Sequence, residues 1–333
     1  MVENKTILIT GGTGSFGKKF VETLLKKHNN FKKLIVFSRD ELKQYELAQK
    51  LQKNDLDKVR FFLGDVRDKE RLYRALKEVD IVVHAAALKQ VPAAEYNPFE
   101  FIKTNVLGAQ NLIDASIDNN VEKIIALSTD KAAAPINLYG ASKLCSDKLF
   151  IAAKNYSGVN KITFSTVRYG NVMESRGSVI PLFKQQMKKG YLSITDKEMT
   201  RFAISLQEGV DMVLWAIKNS IGGEIFVPKI PSFKITDLAK AISPSSKIKI
   251  IGIRKGEKID EELITKSDSF STYDLGEYYA ILSNISEKEL NKFKKKFPKI
   301  KKLKNNFSYN SKDNSDFLEG KKLKEYLEKN SII

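Results

Sequence analysis

Tyr139 and Lys143 stand four residues apart, and Ser128-Thr129-Asp130-Lys131 precedes them. Four-residue spacing on a helix puts a phenol and an ammonium on one face. A nearby ammonium and an oxidised nicotinamide both stabilise phenolate and should lower a Tyr pKa from about 10. Such a Tyr can deprotonate a hydroxyl while hydride leaves the same carbon. Asp130 and Lys131 add an acid and a base, the pair needed to expel water beside a new ketone. For that work Lys131 must be neutral, with a depressed pKa, and Asp130 must be protonated, with a raised one. The bland alternative is a strand-end cap followed by a solvated charge.

A hydride needs an acceptor. Directly after Ile7-Leu8-Ile9 the chain reads Thr10-Gly11-Gly12-Thr13-Gly14-Ser15-Phe16-Gly17. Gly11, Gly14 and Gly17 permit a tight turn, close approach to a pyrophosphate and close helix packing. Thr13, Ser15 and Phe16 belong to the same cradle. Further on, Ser38, Arg39 and Lys43 offer a hydroxyl and two cations suited to a 2′-phosphate, favouring NADP over NAD. Asp40 weakens that reading unless it caps the next helix. Asp65 and Val66 are placed by the adenine, and Ala85 beneath the cofactor with Tyr139 and Lys143.

The elements that must hold these groups alternate. Strands are expected at 6–10, 33–38, 59–63, 81–84, 123–128 and 162–168. Helices are expected at 17–27, 40–53, 69–78, 98–119 and 139–155. That is an α/β doubly wound parallel sheet. After about Asn171 the pattern loosens, with helices resuming at 206–219 and 235–241 and a last one near 320–329. The expected division is a nucleotide-binding Rossmann domain over 1–170, helped by about 203–228, and a smaller interleaved substrate-binding domain over 171–333.

Bulk properties narrow the partners. The chain has 333 residues, a net charge of +17, one cysteine and two histidines. No internal disulfide is available and no histidine-rich metal site is expected, so metal is none. The N-terminus leaves no room for a signal peptide and no apolar run spans a bilayer, so a cytoplasmic protein with no integral membrane segment is expected. The lysines are spread along the chain, without zinc-finger spacing or an RNA-recognition signature. We read them as a solvated surface, not a nucleic-acid site, with anionic partners such as a nucleotide-sugar diphosphate or the inner membrane face as the rival. His84 is read as structural, Cys145 as packing and Trp215 as core.

Taken together, these residues resemble the extended short-chain dehydrogenase/reductase (SDR) family of sugar epimerases, dehydratases and reductases. The likeness runs through His84-Ala-Ala-Ala-Leu-Lys89, Glu95-Tyr-Asn-Pro98, Thr129-Asp-Lys131, Tyr139, Arg168-Tyr-Gly-Asn171, Gly177-Ser-Val179, Met199-Thr-Arg201-Phe202 and Arg254-Lys-Gly256-Glu257. Within the family, Lys131 where retaining dehydratases carry Glu is similar to the inverting UDP-N-acetylglucosamine 4,6-dehydratases. Their retained Tyr, present as Tyr139, leans toward the pseudaminic acid type used on flagella and surface glycans. The resemblance implies NADP as cofactor and UDP-N-acetylglucosamine as substrate. It gives Lys131, Asp130, Tyr139, Lys143 and Thr129 catalytic roles. It places Lys89, Asn171, Val179, Thr195, Arg201, Arg254 and Glu257 against substrate, with Arg201 and Arg254 suited to a diphosphate. It also implies a homo-oligomer, possibly a hexamer. The rival readings are a UDP-N-acetylhexosamine epimerase and a non-catalytic nucleotide-binding regulator. Glu174, Ala203 and Asp260 depart from residues common in the family (Gly, Trp and His), leaving substrate preference and assembly open.

Overall fold

The computed structural model describes residues 1–158, 162–283 and 285–333. All five residues of β1 (Thr6–Thr10) are buried, as in a parallel strand covered on both faces. β2 (Lys33–Ser38) pairs with it in parallel, and β3 (Val59–Leu63) pairs with β2. On the other side of β1 lie β4 (Ile81–His84), β5 (Lys123–Leu127) and β6 (Thr163–Val167), all parallel. The order is therefore β3-β2-β1-β4-β5-β6, the doubly wound order. The strand Ile225–Pro228 continues it in parallel, and antiparallel strands at Tyr278–Ile281, Thr272–Asp274 and Lys301–Lys302 complete ten. Because the chain crosses from β3 to β4, strand order reverses between β1 and β4. A crevice forms outside the carboxyl ends there.

Each face of the sheet has its own apolar layer. Phe20 and Leu24 of α1 (Ser15–Lys27) pack with Val210, Val213 and Ile217 of the Leu206–Asn219 helix. Leu72, Leu112, Ile113 and Phe150 form the opposite layer. A third cluster, including Ile180, Phe183, Leu192, Leu238, Leu323 and Leu327, joins the helices Val179–Gln186, Ile235–Ile242 and Gly320–Lys329. Small sheets brace it: Ser232–Lys234 with Thr200–Ile204 and Asn171–Val172, and Lys247–Ile250 with Tyr191–Ile194.

Several local expectations change. The helix expected at 40–53 stops early: α2 (Glu41–Ala48) buries only Gln44 and Leu47, too small a face to extend it, and Asp40 caps it. The run expected at 98–119 has a wider π-helical turn at Ile102–Leu107 between α-helical Pro98–Phe101 and Gly108–Asp118. Cys145 is exposed, so it does not pack as expected; the helix buries its Ser142, Lys143, Ser146 and Asp147 instead. Trp215 is only partly buried, stacked on Tyr278 with ring centroids 4.2 Å apart. His84 is fully enclosed, its Nδ1 2.8 Å from Thr10 Oγ1, and burial holds its pKa down at about 3.

The three departures also find places. Glu174 has φ +60°, a conformation that suits Gly, and pairs with Lys184 at 3.1 Å. Ala203 is buried and donates its N–H to the Pro231 carbonyl at 2.8 Å. Asp260 accepts from Thr200 Oγ1 at 2.7 Å, tying its loop to the start of the Thr200–Ile204 strand. Among the described residues, no helix is long and apolar enough to cross a membrane.

Candidate active site

A cleft of about 1240 Å³ opens over the carboxyl ends of the central strands, and the 170s, 190s and 250s line its other side. It brings together every expected site residue except Asp130.

At the nucleotide end, Gly11 has φ +67°, and a Cβ there would lie 2.9 Å from the Ala86 backbone nitrogen. Only glycine leaves this turn open to a ligand's backbone approach. Gly14 is the N-cap of α1 without a side-chain cap, which leaves first-turn N–H groups for an anion. With Thr13, Ser15, Phe16 and Gly17 beside it, this cradle fits a dinucleotide pyrophosphate. Ser38 is buried and its hydroxyl accepts from Gln44 Nε2 at 3.0 Å. Lys43 pairs with Asp40, whose other oxygen accepts the Lys43 N–H at 3.0 Å. Arg39 lies 3.8 Å from Asp65, which is bound more closely by Arg67 at 2.8 Å. The cations expected to favour a 2′-phosphate are thus partly neutralised. Arg176, in a loop, adds a positive field at Asp40.

At the chemical end, Asn137 caps the Leu138–Ala153 helix by accepting from the Gly140 N–H at 2.8 Å. A Cβ on Gly140 would sit 2.1 Å from the Lys131 carbonyl oxygen, so only glycine lets the Tyr/Lys helix press on the Asp130–Ala132 turn. Tyr139 and Lys143 are both buried on the cleft wall. Burial pushes Tyr139 up to about 12 despite the Thr129 hydrogen bond. Burial also pulls Lys143 down, with Asp147 opposing. Desolvation of Tyr139 outweighs the lowering by Thr129 and Lys131, so the phenol is raised where a lowered one was expected.

Thr129 Oγ1 donates to Asp130 Oδ1 at 2.9 Å. Lys131 Nζ lies 3.1 Å from Asp130 Oδ1, 3.2 Å from Asn171 Oδ1 and 2.9 Å from Glu261 Oε1. Asp130 is fully buried behind Lys131, with Oδ2 unpartnered among the described residues, and burial raises its pKa as a general acid requires. Lys131 departs from expectation. Burial favours its neutral form, but the Asp130 and Glu261 charges outweigh burial and raise its pKa.

The residues expected against substrate divide. Lys89 and Asn171 face the acid/base turn. Lys89 Nζ is 3.4 Å from Ser175 Oγ, and its pKa is lowered by burial and by Lys131. Val179 and Thr195 line the wall, Thr195 Oγ1 resting 3.2 Å from Met199 Sδ. Arg254 pairs with Glu257 at 2.7 Å at the rim. Arg201, read from sequence as a diphosphate ligand, is buried and committed elsewhere. It donates to the carbonyls of Thr200, Ile259 and Lys258 at 2.7–2.9 Å. It is a strut for the loop that carries Glu261.

Two functional positions escape a sequence reading. Glu261 has no motif around it. Asn105, in the π-turn, clasps Leu88 through both its N–H (2.8 Å) and its carbonyl (2.9 Å), and donates to Ser142 Oγ at 3.0 Å. It fixes the loop leading to Lys89; the wider turn that places it carries no composition signal.

The polysaccharide biosynthesis protein family model matches residues 7–283. A UDP-N-acetylglucosamine 4,6-dehydratase (inverting) from Campylobacter jejuni subsp. jejuni serotype O:23/36 (strain 81-176) is 53% identical, over 97% of each chain. A UDP-glucose 4-epimerase from Rickettsia akari (strain Hartford) is 47% identical over 84% of each. Among solved structures, DesIV, a dTDP-glucose 4,6-dehydratase from Streptomyces venezuelae with NAD and TYD bound, superposes with a TM-score of 0.69. It is 25% identical and covers 76% of this chain and 86% of its own.

Proposed function

Because the chain belongs to the polysaccharide biosynthesis protein family, we propose that it removes water from UDP-N-acetylglucosamine across carbons 5 and 6, inverting carbon 5. The product is UDP-2-acetamido-2,6-dideoxy-β-L-arabino-hex-4-ulose, a precursor for pseudaminic acid or related surface glycans. The observation that carries this reading is Lys131 Nζ at the cleft, held 3.1 Å from a fully buried Asp130, in a turn whose Lys131 carbonyl lies against Gly140 of the Tyr139/Lys143 helix.

Tyr139 takes the proton of the carbon 4 hydroxyl, with Thr129 hydrogen-bonded beside it and Lys143 one turn along. A nicotinamide dinucleotide, its pyrophosphate held by the Gly11–Gly17 turn, would supply a hydride acceptor for carbon 4 and return the hydride to carbon 6, leaving the cycle redox-neutral. Lys131 in its amine form takes the acidified carbon 5 proton. Asp130, whose pKa burial raises, serves as the acid for the departing carbon 6 hydroxyl. A proton delivered to carbon 5 from the opposite face inverts it. Ser38, Arg39 and Lys43 favour NADP over NAD. Lys89, Asn171, Val179, Thr195, Arg254 and Glu257 hold the substrate, and Arg201 supports them.

The same reading makes the chain a cytoplasmic lyase, with residues 1–170 as the nucleotide unit and 171–333 mainly as the interleaved substrate unit. It assembles as a homo-oligomer. A 4-epimerase is the second reading, favoured by the epimerase relative at 47% identity. Incubation with UDP-N-acetylglucosamine and NADP in heavy water separates them. Dehydration gives a product lighter by one water, with deuterium at carbon 5 and the L-configuration when first formed. An epimerase conserves mass. An initial product of D-configuration moves the chain to the retaining class.

A further inference from the structure

The acid/base turn has a second carboxylate that no motif marks. Glu261 lies in the loop just before the strand Glu262–Ile264, far in sequence from the turn. Its side chain is 2% exposed, and Oε1 stands 2.9 Å from Lys131 Nζ. Oε2 has no hydrogen-bond partner among the described residues. The backbone around it is firmly held: Ser311 Oγ accepts the Glu261 N–H at 2.9 Å, and the Ser311 N–H donates to the Glu261 carbonyl at 2.8 Å. Arg201, anchored on three carbonyls, places Nε 3.7 Å from Oε1. A buried carboxylate is costly unless it is paired, and this one is paired with the partly exposed Lys131 amine.

We infer that Glu261 is a positioning residue for Lys131, clamping Nζ opposite Asp130 and stabilising its ammonium form. This rests on the reading of Lys131 as the carbon 5 base. When Lys131 accepts that proton, positive charge develops at Nζ, and a fixed carboxylate 2.9 Å away stabilises it without reorganisation. The atoms balance simply: the carbon 5–hydrogen bond breaks, its electron pair stays with the sugar as enolate, and the proton joins the Nζ lone pair. The groups facing Lys131 are few. Asp130 and Glu261 are acidic, Lys89 and Arg201 are cationic, and Tyr139 and Asn171 complete the ring. Glu257 and Lys258 act at one remove, through Arg201 and Glu261 respectively. With Lys89 and Arg201 both positive, loss of Glu261 leaves Asp130 as the sole carboxylate on Nζ. Asp130 and Glu261 share the balancing charge on Nζ, and of the two Glu261 is the one supplied from outside the turn.

The test compares the full-length wild type, Glu261→Gln and Glu261→Asp. Lys131 is titrated directly, by pulse labelling with an amine-reactive anhydride from pH 6 to 11 and mass spectrometry of the Lys131 peptide. Removing one opposite charge at contact distance should lower the labelling midpoint in Glu261→Gln by about one to three units. Glu261→Asp, which keeps the charge, should restore most of it. In turnover of UDP-N-acetylglucosamine, the acid limb of kcat should move to lower pH in Glu261→Gln, with kcat falling more than KM changes. An unchanged Lys131 midpoint in a Glu261→Gln protein whose melting curve and NADP binding match wild type overturns the assignment. If Glu261→Gln does not fold, a Glu261→Asp midpoint lowered as far as that of an Arg201→Lys control, which loosens the loop but keeps the carboxylate, also overturns it. If the midpoint moves but wild type does not dehydrate the substrate, the placement of Glu261 stands and the dehydratase reading fails.

Discussion

Lys131 is a single residue on which two opposed demands meet. A general base must be neutral when substrate arrives, yet Asp130 and Glu261 favour its charged form over the pull of burial. Replacing it with Ala removes the base while leaving the glycine cradle untouched. Lys131→Ala should bind NADP with wild-type affinity in calorimetry and lose dehydration by at least about 10²-fold, the usual scale of a proton-transfer group. Near-normal turnover would remove Lys131 from the mechanism. His84 shows the converse case, a titratable group kept silent. Unfolded, it binds a proton near pH 6.5; folded, burial holds it near 3. Between these values the unfolded chain binds the extra proton, so stability falls as pH falls. His84→Asn should flatten the acid side of the stability curve from pH 6.5 to 3.5 by up to about 1.4 kcal/mol per pH unit, read from urea melts. An identical slope would mean that His84 titrates normally in the fold.

At the scale of elements, α2 shows how a cap and a specificity device share one carboxylate. Asp40 closes the start of the helix and also binds the Lys43 ammonium. Asn caps a helix as well as Asp but carries no charge. Asp40→Asn should therefore change stability by less than about 0.5 kcal/mol. It should raise the preference for NADP over NAD by roughly tenfold, the scale of one charge-assisted hydrogen bond. Calorimetry with both cofactors decides it, and an unchanged ratio means Lys43 does not meet the 2′-phosphate. The strands were readable because buried parallel strands are short apolar runs bounded by turns. The helix expected to end at 53 was not: propensity continues there, but the face available for packing ends at Leu47.

Assembly belongs to the scale of the molecule. Tyr96 is 86% exposed, Phe99 60% and Leu107 48%, along consecutive helical segments between 91 and 107. Exposed aromatic and aliphatic side chains so close in sequence suit contact with another copy. If the proposed homo-oligomer uses them, Phe99→Glu should elute with a smaller mass by light scattering while keeping its melting temperature as a folded protein. A wild-type monomer, or an unchanged variant mass, removes this face from assembly.

Much of the site was legible because its motifs are local. A glycine turn after a strand, Tyr and Lys four apart, and Thr129-Asp130-Lys131 at a strand end each follow from covalent neighbours and the period of a helix. They were enough to indicate the sheet, the cofactor class and the neighbouring Asp130 and Lys131 that stand 3.1 Å apart. What only the tertiary structure decided lies in charges and contacts from distant segments. Glu261 reaches Lys131 across 130 residues and, with the neighbouring Asp130, raises a pKa that was expected to be lowered. Arg201 turns from expected ligand to strut, because carbonyls of the 258–259 loop surround it. Tyr139 is raised and not lowered, since burial depends on everything packed around it and not on the residue four places along. Electrostatic energy depends on distance and on exclusion of water, and neither is a property of neighbouring letters in a chain.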